Sequence, residues 1–308
     1  MAHDIVILGV FVADATFRAS RLPRMGETIL GEGFALGPGG KGSNQAVAAA
    51  RAGGDVAIVT KLGRDTFAEM ALATWTGAGV APLAARDETG ATGAAFIYLD
   101  AGTGDNAIII CPGVAATISE ADVEARAAEI AAAKIFVTQL EQPMDAARRG
   151  LELARAGGAA TILNPAPAAA LPEGMLALCD YVTPNETEAE ALTGIAVRDM
   201  ASAERAAADL MARGVRRAVV LTLGAGGCLW FDGTDRLHLP AFDAGPLVET
   251  TGAGDAFNGG LAVALAEGKA PREALRFANA TAAISVTRAG TAPSMPSRAE
   301  VEALLSRV

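Results

Sequence analysis

Short apolar runs recur along the chain, each bounded by Gly, Pro or a polar turn and most followed by a stretch of helical period. Residues 5–10 read Ile-Val-Ile-Leu-Gly-Val, and 56–60, 134–138, 160–163 and 218–222 repeat the β-prone habit. Between them, the spacing of small and apolar residues predicts helices over 42–52, 65–76, 144–156, 186–192 and 201–212. Short strands separated by helices of about three turns are the mark of βαβ units, so the pattern predicts an α/β fold with a mostly parallel sheet. The chain ends in helical pattern over 253–267, 272–287 and 298–306, interrupted by an irregular break at 290–296.

Two segments leave this rhythm. Residues 12–36 and 92–110 carry alternating, β-prone stretches such as Gly93-Ala-Ala-Phe-Ile-Tyr-Leu-Asp100, without helical period. They are expected to pair as a small antiparallel sheet over one edge of the main domain and to act as a lid. No repeat, low-complexity tract or linker divides the chain, so residues 1–308 are expected to form one domain carrying that lid.

Composition narrows the function classes. Of 308 residues, 51% are apolar but only 5% aromatic, and Gly alone numbers 35, so the core is built from small side chains on closely packed elements. The net charge of −10 repels nucleic acid and anionic membranes; a bound phosphate would have to rest on backbone amides or a metal. No apolar run reaches the roughly 20 residues that span a bilayer, and the charge at Asp4 with the very short apolar run after it argues against a signal peptide. Cys111, Cys179 and Cys228 are odd in number and far apart, which suits buried reduced thiols in a cytoplasm better than disulfides or a zinc site.

Candidate chemistry lies in two glycine clusters. Glu249-Thr-Thr-Gly-Ala-Gly-Asp255 passes from a glycine-rich turn into a helix, where amides at Gly252, Ala253 and Gly254 could converge on a phosphoryl group. A carboxylate there, Asp255, repels a resting phosphate but suits a base that takes a proton from an attacking hydroxyl; the same letters also describe an ordinary helix N-cap. The Walker spacing is absent, and so is a dinucleotide glycine motif after the first strand. In the other cluster, Gly37-Pro-Gly-Gly-Lys-Gly-Ser-Asn-Gln-Ala46, bare backbone at Gly40 stands beside Lys41, Asn44 and Gln45, a set fit for phosphate or a polyhydroxylated ligand. Asp14 and Glu141 follow predicted strands and can accept hydrogen bonds from sugar hydroxyls. Thr183-Pro-Asn-Glu-Thr-Glu188 places Asn185 and Glu188 three apart, either for a hydrated Mg²⁺ or as a capping box.

Together with Leu140-Glu141, Asn164-Pro-Ala-Pro167 and Thr222-Leu-Gly224 between them, these motifs resemble the ribokinase family, the PfkB-type carbohydrate kinases, in order and along essentially the whole chain. The resemblance implies a Rossmann-like domain with a β-lid and ATP-dependent phosphorylation of a sugar's terminal hydroxyl. By it, Asp255 matches the catalytic base and Gly252, Ala253 and Gly254 the anion hole; Asp14, Gly40, Lys41, Asn44 and Glu141 match sugar contacts. Asn185, Thr222, Gly224, Gly227 and Asn279 match nucleotide contacts, and Glu188 the acid associated with Mg²⁺. Glu249, Thr251, Ser285, Arg288, Gly290 and Ser294 match a monovalent-cation site, usually K⁺, and family members often form homodimers through the lid. Two positions depart from the pattern. Val12 stands where ribokinases carry an Asn that contacts ribose, so 2-deoxyribose competes with ribose as the expected substrate; a nucleoside kinase of the same fold, or a sensor without turnover, are further alternatives. Glu249 stands where Asp is common, which lengthens one candidate cation ligand by a methylene.

Overall fold

The computed structural model describes residues 2–307. The chain runs β1 (Ile5–Leu8), β2 (Val12–Ala19), β3 (Gly33–Gly39), α1 (Lys41–Arg51), β4 (Val56–Leu62), α2 (Thr66–Ala78), β5 (Val80–Arg86), β6 (Thr92–Asp100) and β7 (Asn106–Gly113). There follow α3 (Glu120–Glu124), α4 (Ala127–Ala132), β8 (Ile135–Thr138), α5 (Met144–Gly157), β9 (Ala160–Leu163), β10 (Tyr181–Val182), α6 (Glu186–Thr193) and α7 (Met200–Ala212). The last elements are β11 (Ala218–Thr222), β12 (Cys228–Phe231), β13 (Arg236–Leu239), α8 (Ala253–Ala266), α9 (Pro271–Ser285) and α10 (Arg298–Leu305).

Nine strands form the main sheet in the order β13-β12-β11-β10-β9-β8-β1-β4-β5. It is parallel from β5 to β11 and ends in an antiparallel hairpin, β12 and β13, that the apolar pattern does not announce. Each buried strand feeds two cores by simple alternation. Ile5 and Ile7 of β1 face one core with α1, α8 and α9, while Val6 and Leu8 face the other with α5 and α7. Burial on both faces explains why β1 is apolar at every position and why the other central strands are apolar at most of theirs.

The second sheet has the order β3-β2-β6-β7. It joins the two expected excursions, but it is mixed rather than antiparallel: two hairpins, β2–β3 and β6–β7, are paired in parallel through β2 and β6. Both hairpins leave the main sheet in the same direction, so their first strands must run side by side. Cys179 and Cys228 are buried, as expected; Cys111 on β7 is instead exposed, because its strand is the outer edge of this thin sheet. Among the described residues, no helix is long and apolar enough to cross a membrane.

Candidate active site

The carboxyl ends of the central strands open on one cleft, and glycines decide how closely its walls approach. Gly42 rests on the end of β1: a methyl at Gly42 would lie 2.6 Å from the Gly9 Cα. Gly40 precedes α1 with φ +88°, a conformation that strains any other residue, and a Cβ there would lie 2.5 Å from the Val10 carbonyl. Deeper in, α8 lies against α1 at Gly259, where a Cβ would meet the Ala48 methyl at 2.6 Å and the Gln45 carbonyl at 2.8 Å. This close approach of two helices brings Asn44 and Gln45 to Asp255. Asn44 Nδ2 donates to Oδ2 and Gln45 Nε2 to Oδ1, each at 3.0 Å.

The cleft has a volume of about 160 Å³ and is lined from separate parts of the chain. Lys41 comes from α1, Asn164 from the end of β9, Thr183, Asn185 and Glu188 from the β10–α6 turn, and Thr222 from the end of β11. Gly252, Gly254, Asp255 and Asn258 come from the start of α8. The first-turn amides of a helix have no carbonyl within it to bond, so those of Gly254 and Asp255 can face an anion. Ala253 departs from the expected anion hole: it is absent from the lining, and its amide is spent on the Thr250 carbonyl at 3.1 Å.

Charge is concentrated here. Burial keeps Asp255 above the usual carboxylate range, opposed by the Lys41 ammonium and the Asn44 and Gln45 amides. Asp14, whose carboxylate occupies the space a side chain on Gly39 would need, is pushed up to about 6 by burial and then by Asp255 and Glu249. Glu141 accepts from the Lys41 amide at 2.8 Å and is pushed up to about 7, burial outweighing the Lys41 charge. Burial alone would lower Lys41, but Asp255, Glu141 and Glu188 outweigh it and keep the ammonium charged. Asp14 and Glu141 do not line the cleft of about 160 Å³ itself but act on Asp255 and Lys41 beside it, so acids able to accept from hydroxyl donors meet the Lys41 ammonium at its edge.

Asn185 and Glu188 do form the capping box: Asn185 Oδ1 accepts from the Glu188 amide at 2.8 Å and Glu188 Oε2 from the Asn185 amide at 2.9 Å. Both still line the cleft. Thr222 is bridged to Asn185, and Gly224, with φ +51°, lies beside Glu186. Gly227 and Asn279 lie apart from the lining. Gly227 lets its turn pass beneath the Leu239 carbonyl, and Asn279 Nδ2 donates to the Pro240 carbonyl at 2.7 Å. Of the residues matched to a cation site, Glu249 Oε2 accepts from the Gly290 amide at 2.8 Å. The Ser285 and Ser294 hydroxyls donate to the Ala282 and Thr291 carbonyls, Arg288 is paired with Glu300, and Thr251 is exposed.

Several residues of the site were not singled out as site residues from sequence. Asn258 Nδ2 donates to the Gly254 carbonyl at 2.9 Å and its Oδ1 accepts from the Thr183 hydroxyl at 2.6 Å, tying the first turn of α8 to β10. A buried Asn in an otherwise apolar helix, three residues after Asp255, is the signal that could have found it. Gln139 is another: it donates to Gln45, which the sequence already sets beside Lys41 and Asn44, and Gln45 joins Asn164 and Asp255 in a buried amide chain.

The sequence pattern of the pfkB family carbohydrate kinases matches residues 2–298. A ribokinase of Haemophilus influenzae is 37% identical over 301 residues, covering 97% of each chain. A deoxyribokinase of Salmonella typhi is 33% identical over 305 residues, 98% of this chain and 99% of that one. Among solved structures, Arabidopsis thaliana ribokinase complexed with ribose and ATP superposes with a TM-score of 0.91 at 32% identity, over 99% of each chain.

Proposed function

The chain belongs to the pfkB family of carbohydrate kinases, and from that premise we propose that it transfers the γ-phosphoryl group of ATP to the primary hydroxyl of free ribose, forming ribose 5-phosphate. The observation that carries this reading is a buried carboxylate, Asp255, held by two amides at the start of α8 and beside Gly252 and Gly254. Asp255 takes the hydroxyl proton, and the oxygen attacks phosphorus in line while ADP leaves. The Gly254 and Asp255 amides and the Lys41 ammonium stabilise the charge on the phosphoryl oxygens. Asp14, Asn44 and Glu141 orient the sugar. Asn185, Thr222 and Gly224 receive the nucleotide, with Gly227 and Asn279 shaping its outer wall.

The mixed sheet is proposed to close over the sugar and keep water from competing as the nucleophile. Its exposed rings Phe17, Phe34 and Phe96, with centroids 4.9 and 5.6 Å apart, support a homodimer through this face. Glu188 uses one carboxylate oxygen in its cap, which leaves the other for a hydrated Mg²⁺. Mg²⁺ would neutralise the ATP phosphates. Glu249 and the Ser285 and Ser294 hydroxyls, matched to the family's monovalent-cation site, are hard oxygen donors of the type K⁺ takes. Free thiols support a cytoplasmic location.

A second reading, 2-deoxyribose, rests on Val12. It lies two residues from Asp14 on the same face of β2, so an apolar group stands beside the sugar-facing acid. One ADP-release screen with ribose, 2-deoxyribose, hexoses and nucleosides ranks these substrates by kcat/KM. Asp255→Asn should bind ATP and sugar but not turn over; normal turnover in that variant refutes the assigned base.

A further inference from the structure

Behind Asp255 lies a chain of buried amides, and at Asn164 and Gln45 the hydrogen-bond directions are forced by chemistry. The Thr183 main-chain carbonyl can only accept, so Asn164 turns Nδ2 toward it at 3.0 Å and presents Oδ1 to Gln45. The Asp255 carboxylate also only accepts. Gln45 therefore stands between two acceptors and spends both Nε2 protons, one on Asn164 Oδ1 and one on Asp255 Oδ1, each at 3.0 Å. Its Oε1 receives Gln139 Nε2 at 2.6 Å. If Gln45 turned over, its oxygen would face two acceptors and its nitrogen a donor, at a site excluded from water.

Asn44 is held differently. Its Nδ2 donates to Asp255 Oδ2 at 3.0 Å, but its own Oδ1 is buried without a partner. Asn44 can therefore turn over and accept a hydrogen bond from a protonated Oδ2, and Gln45 has no such freedom at Oδ1.

We propose that Gln45 is a positioning residue that decides which oxygen of Asp255 receives the substrate's proton. It holds Oδ1 as a constant acceptor and leaves Oδ2 as the basic atom. The proposal rests on the reading of Asp255 as the base. In the step, the hydroxyl O–H bond breaks and its proton passes to Oδ2. The electron pair left on the sugar oxygen forms the bond to phosphorus, and the bond from phosphorus to the ADP oxygen breaks. Gln139 sits one amide further back, does not line the cleft, and donates to Gln45 Oε1, while its own Oε1 is buried without a partner. The charged groups facing Asp255 are Lys41 from α1, Asp14 from β2, Glu141 after β8 and Glu188 from α6; Glu249 acts on Asp14.

The test is the pH profile of kcat/KM by coupled ADP release for the parent, Gln45→Met and Gln139→Met, with ATP affinity measured by calorimetry. Removing a hydrogen bond to the ionised carboxylate should move the acid limb of Gln45→Met up by about one pH unit and lower kcat, with ATP affinity unchanged. Gln139→Met should move the limb in the same direction by less. It touches neither Asp255 nor the cleft, so a role in packing alone would scale the rate without moving the limb. Limbs that coincide in all three proteins overturn the proposal, and if Gln45→Met does not fold, Gln139→Met decides. Turnover retained in Asp255→Asn would refute the base and this proposal together; unmoved limbs with an inactive Asp255→Asn would refute only the proposal.

Discussion

Gly254→Ala separates the space in the anion hole from the stability of the helix that builds it. Gly254 sits in the first turn of α8, its φ lies outside the left-handed range, and a Cβ there would meet nothing within 4 Å. The substitution therefore brings neither strain nor a clash. Ala gains about 0.5–1 kcal/mol over Gly in a helix, less in a first turn. For a chain of this size that is a rise in Tm of about 1–2 °C. The added methyl projects into a cleft of only about 160 Å³, at the amides assigned to the transferring phosphoryl group. A displacement on the order of 1 Å there is enough to cost about 100-fold. Loss of an oxyanion-type contact costs about 10²–10³-fold in kcat, or about 2.7–4 kcal/mol. The expected variant is folded, slightly more stable and slower by that factor in a coupled ADP-release assay, with melting followed by scanning fluorimetry. Parental turnover with an unchanged Tm would mean that phosphoryl transfer happens elsewhere, and a large fall in Tm would mean that the space is not free. Gly252→Ala is the contrasting control, because φ +82° makes it strained whatever the space.

Glu141 is pushed up to about 7 and Asp14 to about 6, both above their unfolded values of about 4. The fold thus favours their neutral forms; this stability is fully present below about pH 4 and is lost as pH rises through 6 to 7. Glu141→Gln should raise the Tm of the ligand-free protein more at pH 8 than at pH 5, and equal shifts would contradict the assignment. Val12→Asn restores an amide beside Asp14 and should raise the ribose to 2-deoxyribose ratio of kcat/KM by about 10-fold, as expected for a hydrogen-bonding side chain; an unchanged ratio removes Val12 from specificity. Phe34→Lys places a charge in the exposed Phe17–Phe34–Phe96 cluster and should shift sedimentation from dimer to monomer, whereas a parent that sediments as a monomer refutes the interface. Glu249→Asp should change the K⁺ concentration needed for half-maximal rate, and identical titrations would exclude Glu249 as a ligand.

What sequence alone determined was local. Residues 218–221 are apolar at every position because both faces of β11 are covered, and runs of that kind, with the helices between, define the parallel sheet. The glycine clusters and polar turns were also legible, because turn and helix-start chemistry is written in adjacent residues. Tertiary structure alone decided what distant residues do to each other. Gln45 and Asp255 are 210 positions apart, and only the packing of α1 on α8 at Gly259 makes one a donor to the other. The same holds for β2 and β6, whose parallel pairing depends on where both hairpins leave the main sheet. It also decided that Ala253 turns its amide away from the cleft while Gly254 leaves room in it. The raised carboxylates at Asp14 and Glu141 arise in the same way, because burial and neighbouring charge belong to the folded site and no stretch of sequence carries them.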